Sequence, residues 1–492
     1  MTILDKMIGF VSPTAELRRV RARMASNVAR RVLANYDAAT VGRRGKSWKV
    51  SATDADGAAA RRQRLAWISR DMIRNTPFAA RAQHVIASNV VAAGILPKAV
   101  FPADSPLAIE WERDVKRHFD SSSIDADGQS TLYGLQKLAV MAVVDAGEVL
   151  VRRRRRRNSD GLPLPFQIQV IEADFLDTAK EGATDRGGMI REGIEFDRLG
   201  RRVAYWLFDE HPGSTSTILR RGGASKRVAA SEIIHIYRQD RPGQRRGVSW
   251  FAPVALALQD FADNQDAKLM QQKIAACFAA FVVDLDGGSE EVVGGGAVED
   301  DPISSIQPGA VYHLDGTQEV KFATPPSADG FDEFSRVVLR SVAMGLGITY
   351  ESLTGDLSTV NFSSARIGRL EMNRNVEAWQ WHMVVPQMLE KIALWMLEAW
   401  AMKSGRAEVL DVVVTWSPPP LTMADPRLEA AAAKGRRALG LTSRQGEQRA
   451  LGFDPDEVHR EQLEDLVRDA ELAAAAPKPD TTDTPEKGQT DE

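Results

Sequence analysis

Between residues 364 and 403 the sequence carries a helical signal longer than any other in the chain. Ile367, Leu370, Val376, Trp379, Val384, Leu389, Ile392, Trp395 and Trp400 recur at helical spacing and form one apolar stripe. Ser363 or Ser364 is suited to cap its start. Pro386 lies inside it and predicts a kink, because proline lacks an N–H and its ring meets the carbonyl four residues back. The rest of the fold has to be arranged around this helix.

Residues 12–34 read as a basic, Ala-rich helix, followed by a Gly/Arg-rich arm. From Ala59 to Val91 a helical period returns, broken at Asn75-Thr76-Pro77 and stopped near Gly94. A further helix is predicted over 131–144. Residues 148–240 change character. Glu148-Val-Leu-Val, Phe166-Gln-Ile-Gln-Val-Ile, Gly193-Ile-Glu-Phe, Val203-Ala-Tyr-Trp-Leu-Phe and Ile233-Ile-His-Ile-Tyr read as short strands between Gly/Asp turns. Trp250–Phe281 reads as a helix with an apolar stripe of Leu269, Met270, Ile274, Cys277, Phe278 and Phe281, and with Asp260, Asp263 and Asp266 on another face. Short strands are expected near 310–314 and 319–322. A helix follows over Phe331–Gly345, then a non-periodic segment at 349–363. After the long helix come a strand at Val412–Trp416 and helices at 427–438, 443–450 and 455–475. The chain from Ala476 is Pro/Thr/Asp-rich and is expected to be disordered.

The 492 residues suggest about three domains or one elongated subunit of several parts. The net charge of −4 hides an asymmetry: residues 1–100 hold 18 Lys+Arg and 6 Asp+Glu, the remainder 45 and 61. Such polarity fits either an end that meets nucleic acid or an acidic partner, or a solvated basic surface. The lone Cys277 excludes an internal disulfide and a cysteine zinc site. No signal-peptide core and no apolar run of about 20 residues is found, so a membrane span is not expected.

Catalytic patterns are missing where they would be looked for. Gly45-Lys46-Ser47 resembles the end of a phosphate loop, but Thr40 stands where the loop needs glycine. His84, His118, His211, His235, His313, His382 and His459 include no helical i, i+4 zinc pair. There is no Gly-x-Ser-x-Gly elbow. The stretch 284–301 holds seven carboxylates and no Lys or Arg, which reads as a solvated acidic tip ahead of a calcium loop. Arg152–Arg157 fits an exposed strand end or a nucleic-acid contact. No catalytic residue, metal site or cofactor is expected.

The order of parts then resembles the lambda-like family of tailed-phage portal proteins. The stretches that carry the resemblance are R-N-T-P-F-A-A-R-A-Q-H-V-I-A-S-N-V-V-A-A-G-I (74–95), D-A-G-E-V-L-V-R (145–152), I-I-H-I-Y-R-Q-D-R-P-G-Q-R-R-G-V-S-W-F-A-P (233–253) and L-T-G-D-L-S-T-V-N-F-S-S-A-R (353–366). The resemblance implies an α+β fold with these parts: a basic N-terminal arm (1–58), a wing (59–249), a stem helix (250–283), a small α/β clip (284–329), a second stem helix (330–348), a tunnel loop (349–363), the long kinked helix (364–404), a wing return strand (405–424), crown helices (425–475) and a tail (476–492). It implies a ring of twelve copies at one capsid vertex, through which double-stranded DNA is packaged and ejected.

The implied partners are the large terminase subunit, major capsid and scaffolding proteins, and head-completion or tail connector proteins. The chain would occupy the host cytoplasm during assembly and the virion afterwards, with no membrane role. Leu353, Thr354, Gly355, Asp356, Leu357, Ser358, Thr359, Val360, Asn361 and Phe362 are the expected DNA-facing tunnel loop. Asp260, Asp263 and Asp266 are the expected channel-lining residues of the stem. Asp284, Asp286, Glu290, Glu291, Glu299, Asp300 and Asp301 are the expected terminase-docking clip. The rival readings are a Mg²⁺-dependent nuclease, holding its metal with clustered carboxylates, and a scaffolding or capsid-associated binding module.

Overall fold

The computed structural model describes residues 51–58, 61–99, 101, 105–214, 224–277, 330–358, 360–419, 426–451, 453 and 455–475, with the short pieces 282–283 and 313–314 and some helical residues of 14–24. The expected strand at 319–322, most of the arm, the clip and the tail lie outside the described residues. The chain divides into two units, residues 1–58 and 59–492. The larger unit carries the sheets and every helix from Arg62 onward.

Thr76 and Pro77 set its first corner. Helix α1 (Arg62–Asn75) ends where Thr76 turns extended before the proline and donates its N–H to Met72 O at 2.7 Å. Pro77 is the first residue of α2 (Pro77–Val91), where a missing N–H costs nothing. Gly94, at φ +133, then passes under the Tyr133 ring so closely that a Cβ would sit 2.4 Å from it. The chain leaves through β1 (Leu96–Ala99). Helix α3 (Leu132–Ala146) is capped by the Thr131 hydroxyl, which accepts from Gly134 N–H, and stops at Gly147.

Strand β2 (Glu148–Arg155) follows at once. It lies between β3 (Phe166–Glu172) and β9 (Ile233–Tyr237), both antiparallel to it. The intervening β4 (Gly182–Ala183), β5 (Met189–Arg191), β6 (Ile194–Phe196), β7 (Arg202–Leu207) and β8 (Lys226–Ala229) form a second antiparallel sheet in chain order. Strand alternation gives the first sheet two faces. Val149, Val151, Ile168, Ile234 and Ile236 join the main core with the helices. Leu150, Ile171 and Ile233 join Ile194, Phe196, Tyr205 and Leu207 in a smaller core toward the second sheet. Helices beside antiparallel sheets make this an α+β fold, as the sequence predicts.

Helix α4 (Ala255–Cys277) starts five residues later than expected, because Trp250 to Val254 form turns. The short pieces β10 (Val282–Val283) and β11 (His313–Leu314) pair in parallel. Helix α5 (Phe331–Leu346) ends on Gly347, and α6 (Tyr350–Thr354) follows at once. The long helix is continuous: α7 (Phe362–Trp379), a π-helical stretch Gln380–Leu389, and α8 (Glu390–Ser404). Pro386 falls in the π-helical stretch, whose wider turn accommodates a residue without an N–H. There Gln387 accepts from Tyr237 N–H at 2.9 Å and donates to Tyr237 O at 3.1 Å, completing the edge of β9. Val376, Val384, Leu389, Ile392, Trp395 and Trp400 are buried as predicted, but Ile367 and Leu370 are 68% and 54% exposed. Strand β12 (Val414–Ser417) returns to pair antiparallel with β1. Helices α9 (Pro426–Ala438), α10 (Arg444–Ala450) and α11 (Pro455–Ala475) close the described chain, with α9 tied to α10 by the Arg436–Glu447 pair. No described helix is long and apolar enough to cross a membrane.

Candidate functional site

Two of the stretches singled out in the sequence meet in space. Gly147 and Gly247 touch through their backbones, and a Cβ on Gly247 would lie 1.9 Å from Gly147 O. Directly beside them Glu148 is buried. Its carboxylate accepts from Arg246 Nε at 3.0 Å and from Arg246 Nη2, from Gly247 N–H at 2.9 Å and from His235 Nε2 at 2.9 Å. Arg202 Nη1 donates to His235 Nδ1 at 3.1 Å, so the imidazole is neutral with its proton on Nε2. Burial holds the His235 pKa down to about 4 against the pull of Glu148. Burial alone would raise Glu148, but the Arg246 charge and the His235 bond prevail and hold it well below the usual carboxylate range. Arg246 Nη1 reaches on to Glu192 at 3.1 Å, in the β5–β6 turn. This junction locks the two sheets and the 238–249 segment together. Its partners come from 87 to 99 positions apart, and spacing in the sequence offers no signal for them.

The elements expected to line a channel leave this body. Among the described side chains of α4 only those of the first turns are buried, through Ala255, Leu258 and Phe261, and in α5 only the last, through Leu339, Val342, Ala343 and Leu346. Val254 and Gly345 meet so closely that a Cβ on the glycine would lie 2.4 Å from Val254 Cγ1. Asp260, Asp263 and Asp266 are all exposed, and Gln259 donates to Asp263 at 2.9 Å. At three-residue spacing they drift around the helix rather than share one line.

The tunnel-loop assignment needs correction at both ends. Leu353 and Thr354 belong to α6, capped by Thr349, and Leu353 is 2% exposed, so it anchors the segment in the core and faces no channel. Phe362 is the first residue of α7, and the cap is Asn361, whose Oδ1 accepts from Ser364 N–H at 2.9 Å, in place of Ser363 or Ser364. An Asn before an apolar run is itself a cap signal. The irregular part is therefore 355–361. Gly355, Leu357, Ser358 and Asn361 are exposed, and Asp356 and Val360 are half-buried; Thr359 lies outside the described residues. The segment is ordered from within: Asp356 accepts the Ser358 hydroxyl at 2.6 Å and its N–H at 3.0 Å, which holds the Asp356 carboxyl below its ordinary range. The clip residues Asp284, Asp286, Glu290, Glu291, Glu299, Asp300 and Asp301 lie outside the described residues.

One cluster has the composition of a metal centre. Ligand atoms of Glu172, Asp174 and His211 lie within 4.8 Å of one another. The geometry favours an ion-pair cluster instead. Gly213 N–H donates to His211 Nδ1 at 3.0 Å, which puts the neutral imidazole's proton on Nε2, the atom 3.0 Å from Glu172. A metal would need that lone pair. Arg70 already holds Asp174 at 2.8 Å, with Trp67 donating to its other oxygen at 3.0 Å. Arg70 also lies 3.8 Å from Asp145, whose pKa burial raises to about 7.

The model of the lambda family of phage portal proteins matches residues 41–380. Over 434 residues the chain is 26% identical to a probable portal protein of Halomonas phage phiHAP-1, covering 83% of this chain and 81% of that one. It is 20% identical over 333 residues to portal protein B of Escherichia phage lambda, covering 60% and 61%. Among solved structures, a chain of the native gene transfer agent virion superposes with a TM-score of 0.42 at 16% identity, covering 80% of this chain and 94% of that one.

Proposed function

We infer the function of this chain from its kinship, for it belongs to the lambda family of phage portal proteins. The family is structural, and the chain is not an enzyme; the nuclease alternative falls with that. We propose that twelve copies form a ring at one capsid vertex, through which double-stranded DNA is packaged and later ejected. In this reading α4 and α5 are the stem, 284–329 the clip on which the large terminase subunit docks, and α9–α11 the crown. Capsid and scaffolding proteins hold the ring in the shell, and head-completion or tail connector proteins replace the motor. Asp260, Asp263 and Asp266 repel phosphates, and 355–361 offers small polar groups without lasting cationic contacts, which suits a conduit that must let DNA slide.

The observation that carries the ring is the unburied apolar surface of the outgoing helices. Leu256, Leu269 and Met270 on α4, Phe334, Val337 and Met344 on α5, and Ile367 and Leu370 on α7 are all exposed in the single chain. A neighbouring copy covers them. Mass photometry and negative-stain imaging should show closed rings, and V337D/M344D should leave folded 54.0 kDa monomers. A wild-type chain that stays monomeric at micromolar concentration across a range of salt would overturn the proposal.

A further inference from the structure

The six consecutive arginines Arg152–Arg157 run along the second half of β2 and past its end, and strand alternation sorts them by face. Arg153 is buried on the helix side, where it pairs with Glu398 and donates to Trp395 O at 3.2 Å. Arg155 holds Glu232 through a forked bond of 2.6 and 3.2 Å, and Arg156 donates to Gln167 at 2.7 Å. These three have structural work. Arg152 and Arg154 lie on the opposite face, about 6.7 Å apart at a strand's two-residue spacing. Both are half-buried, and neither forms a hydrogen bond or ion pair with any described residue. Asp209 is the carboxylate that acts on Arg152, and it is already paired with Lys226 at 2.6 Å.

The register leaves room beside them. β3 accompanies β2 as far as Arg155↔Phe166, whereas β9 stops at Arg152↔Ile233. From Arg153 onward β2 has no described strand on that side, and an open cleft of about 390 Å³ lined by Arg152–Arg156 runs along the stretch. Two half-buried like charges with no carboxylate bonded to either among the described residues are destabilising neighbours, and an anion in the cleft relieves both.

We propose that this cleft binds the phosphodiester backbone of double-stranded DNA, with Arg152 and Arg154 each meeting a phosphate. The guanidinium fork matches phosphate oxygens. Two guanidinium forks at a strand's regular spacing suit a polyanion of regular charge better than the scattered carboxylates of an acidic protein. Contacts of this kind are independent of sequence. The choice of DNA rests on the portal reading, and it adds a second place, outside the stem and the 355–361 segment, where the subunit touches its cargo.

The test is fluorescence anisotropy of the full chain with a labelled 20-base-pair duplex over a salt series. Each phosphate contact contributes about 0.9 to the salt slope, so R152Q/R154Q should lower the slope by roughly 1.8: the variant binds more weakly at 50 mM salt, and its gap from the wild type narrows about tenfold by 200 mM. R154Q alone should remove about half of that slope, R152K/R154K should keep it, and R201Q, an exposed arginine paired with Asp197, should leave it unchanged. Wild-type slope and affinity in R152Q/R154Q would overturn the inference, as would poly-glutamate competing as well as unlabelled duplex at equal charge. Mass photometry of the same samples keeps the two readings apart. Rings with an unaltered slope sink only the cleft, whereas monomers sink the portal.

Discussion

Replacing Glu148 by glutamine tests whether the Gly147–Gly247 junction holds the two sheets and the 238–249 segment together. The carboxylate is 3% exposed and accepts four bonds, from Arg246 Nε and Nη2, Gly247 N–H and His235 Nε2. Glutamine brings one acceptor oxygen and one NH₂ group. Whichever way the amide is turned, the NH₂ confronts donors, and at least two buried donors lose their acceptor. Removing one partner of a buried ion pair costs roughly 3–5 kcal/mol. Arg246 keeps Glu192, which is 30% exposed, so the lower end applies, about 3 kcal/mol. Global unfolding of a long, assembling chain is not two-state, and the readout must be local. Hydrogen exchange of peptides spanning 233–237 and 244–249 should lose protection by about 150-fold, because each 1.36 kcal/mol is a factor of ten. E148Q/R246M removes both charges and should recover most of the loss. A change under about fivefold in E148Q, or a double variant that loses the sum of its singles, would refute the reasoning.

Four further outcomes are expected. His235, held near pKa 4 by burial, contributes stability that is complete above its unfolded value of about 6.5 and is lost as pH falls to about 4, at most roughly 3 kcal/mol. Asp145, raised to about 7 by burial despite Arg70, has the opposite sign: its contribution is complete below about pH 4 and is lost as pH rises through 7. D145N should therefore make the melting temperature climb more steeply from pH 4 to 7 than in the wild type, and parallel curves by scanning fluorimetry would count against it. Neutralising Glu290, Glu291, Asp300 and Asp301 together should weaken terminase binding, most at low salt, with rings intact; unchanged affinity would leave the acidic tip no role in docking. Shortening 355–360 to two glycines should leave rings intact while packaging or DNA retention fails, whereas L353A should act as a core defect of about 2–4 kcal/mol; full-length packaged DNA in the shortened variant would remove the segment from the channel.

Periodicity made the secondary structure legible wherever burial imposes a period. β2, β3, β7 and β9 were visible because β-branched and aromatic residues fill strands with one or both faces in a core, and α2 because Pro77 and Gly94 bracket it. What a stripe packs against was not legible. Ile367, Leu370, Leu269 and Met270 recur at helical spacing like core residues, yet in the single chain they face outward. Periodicity says which face is apolar and is silent on whether this chain or another covers it. The π-helical stretch at Pro386 was missed for a related reason: a proline signals a disrupted helix, while the form of the disruption depends on neighbours such as Tyr237 and Gln387. The Glu148–His235–Arg246 junction was invisible because its members share no local spacing. The Arg run was visible as charge, but only the register of β2 separates Arg152 and Arg154 from the arginines that serve the fold.

The stretches that make the family recognisable are mostly scaffold. Residues 74–95 build the corner and α2, and 145–152 and 233–253 meet in the Gly147–Gly247 junction, where a Cβ on either glycine would enter the other's backbone or that of Val248. Close approach and buried charge tolerate few residue types, which makes such stretches distinctive when read as sequence. A conduit imposes the opposite condition on its working surface. A segment that passes a polyanion must offer weak, replaceable contacts, and many small polar sequences meet that need. Of these stretches 353–366 combines scaffold with the proposed channel segment: Leu353 is fixed by the core and Asn361 by the cap of α7, while Gly355–Ser358 and Val360 are irregular. On the portal reading, the recognisable stretches mark the frame, and the proposed channel surface has to be sought in the elements that leave that frame uncovered.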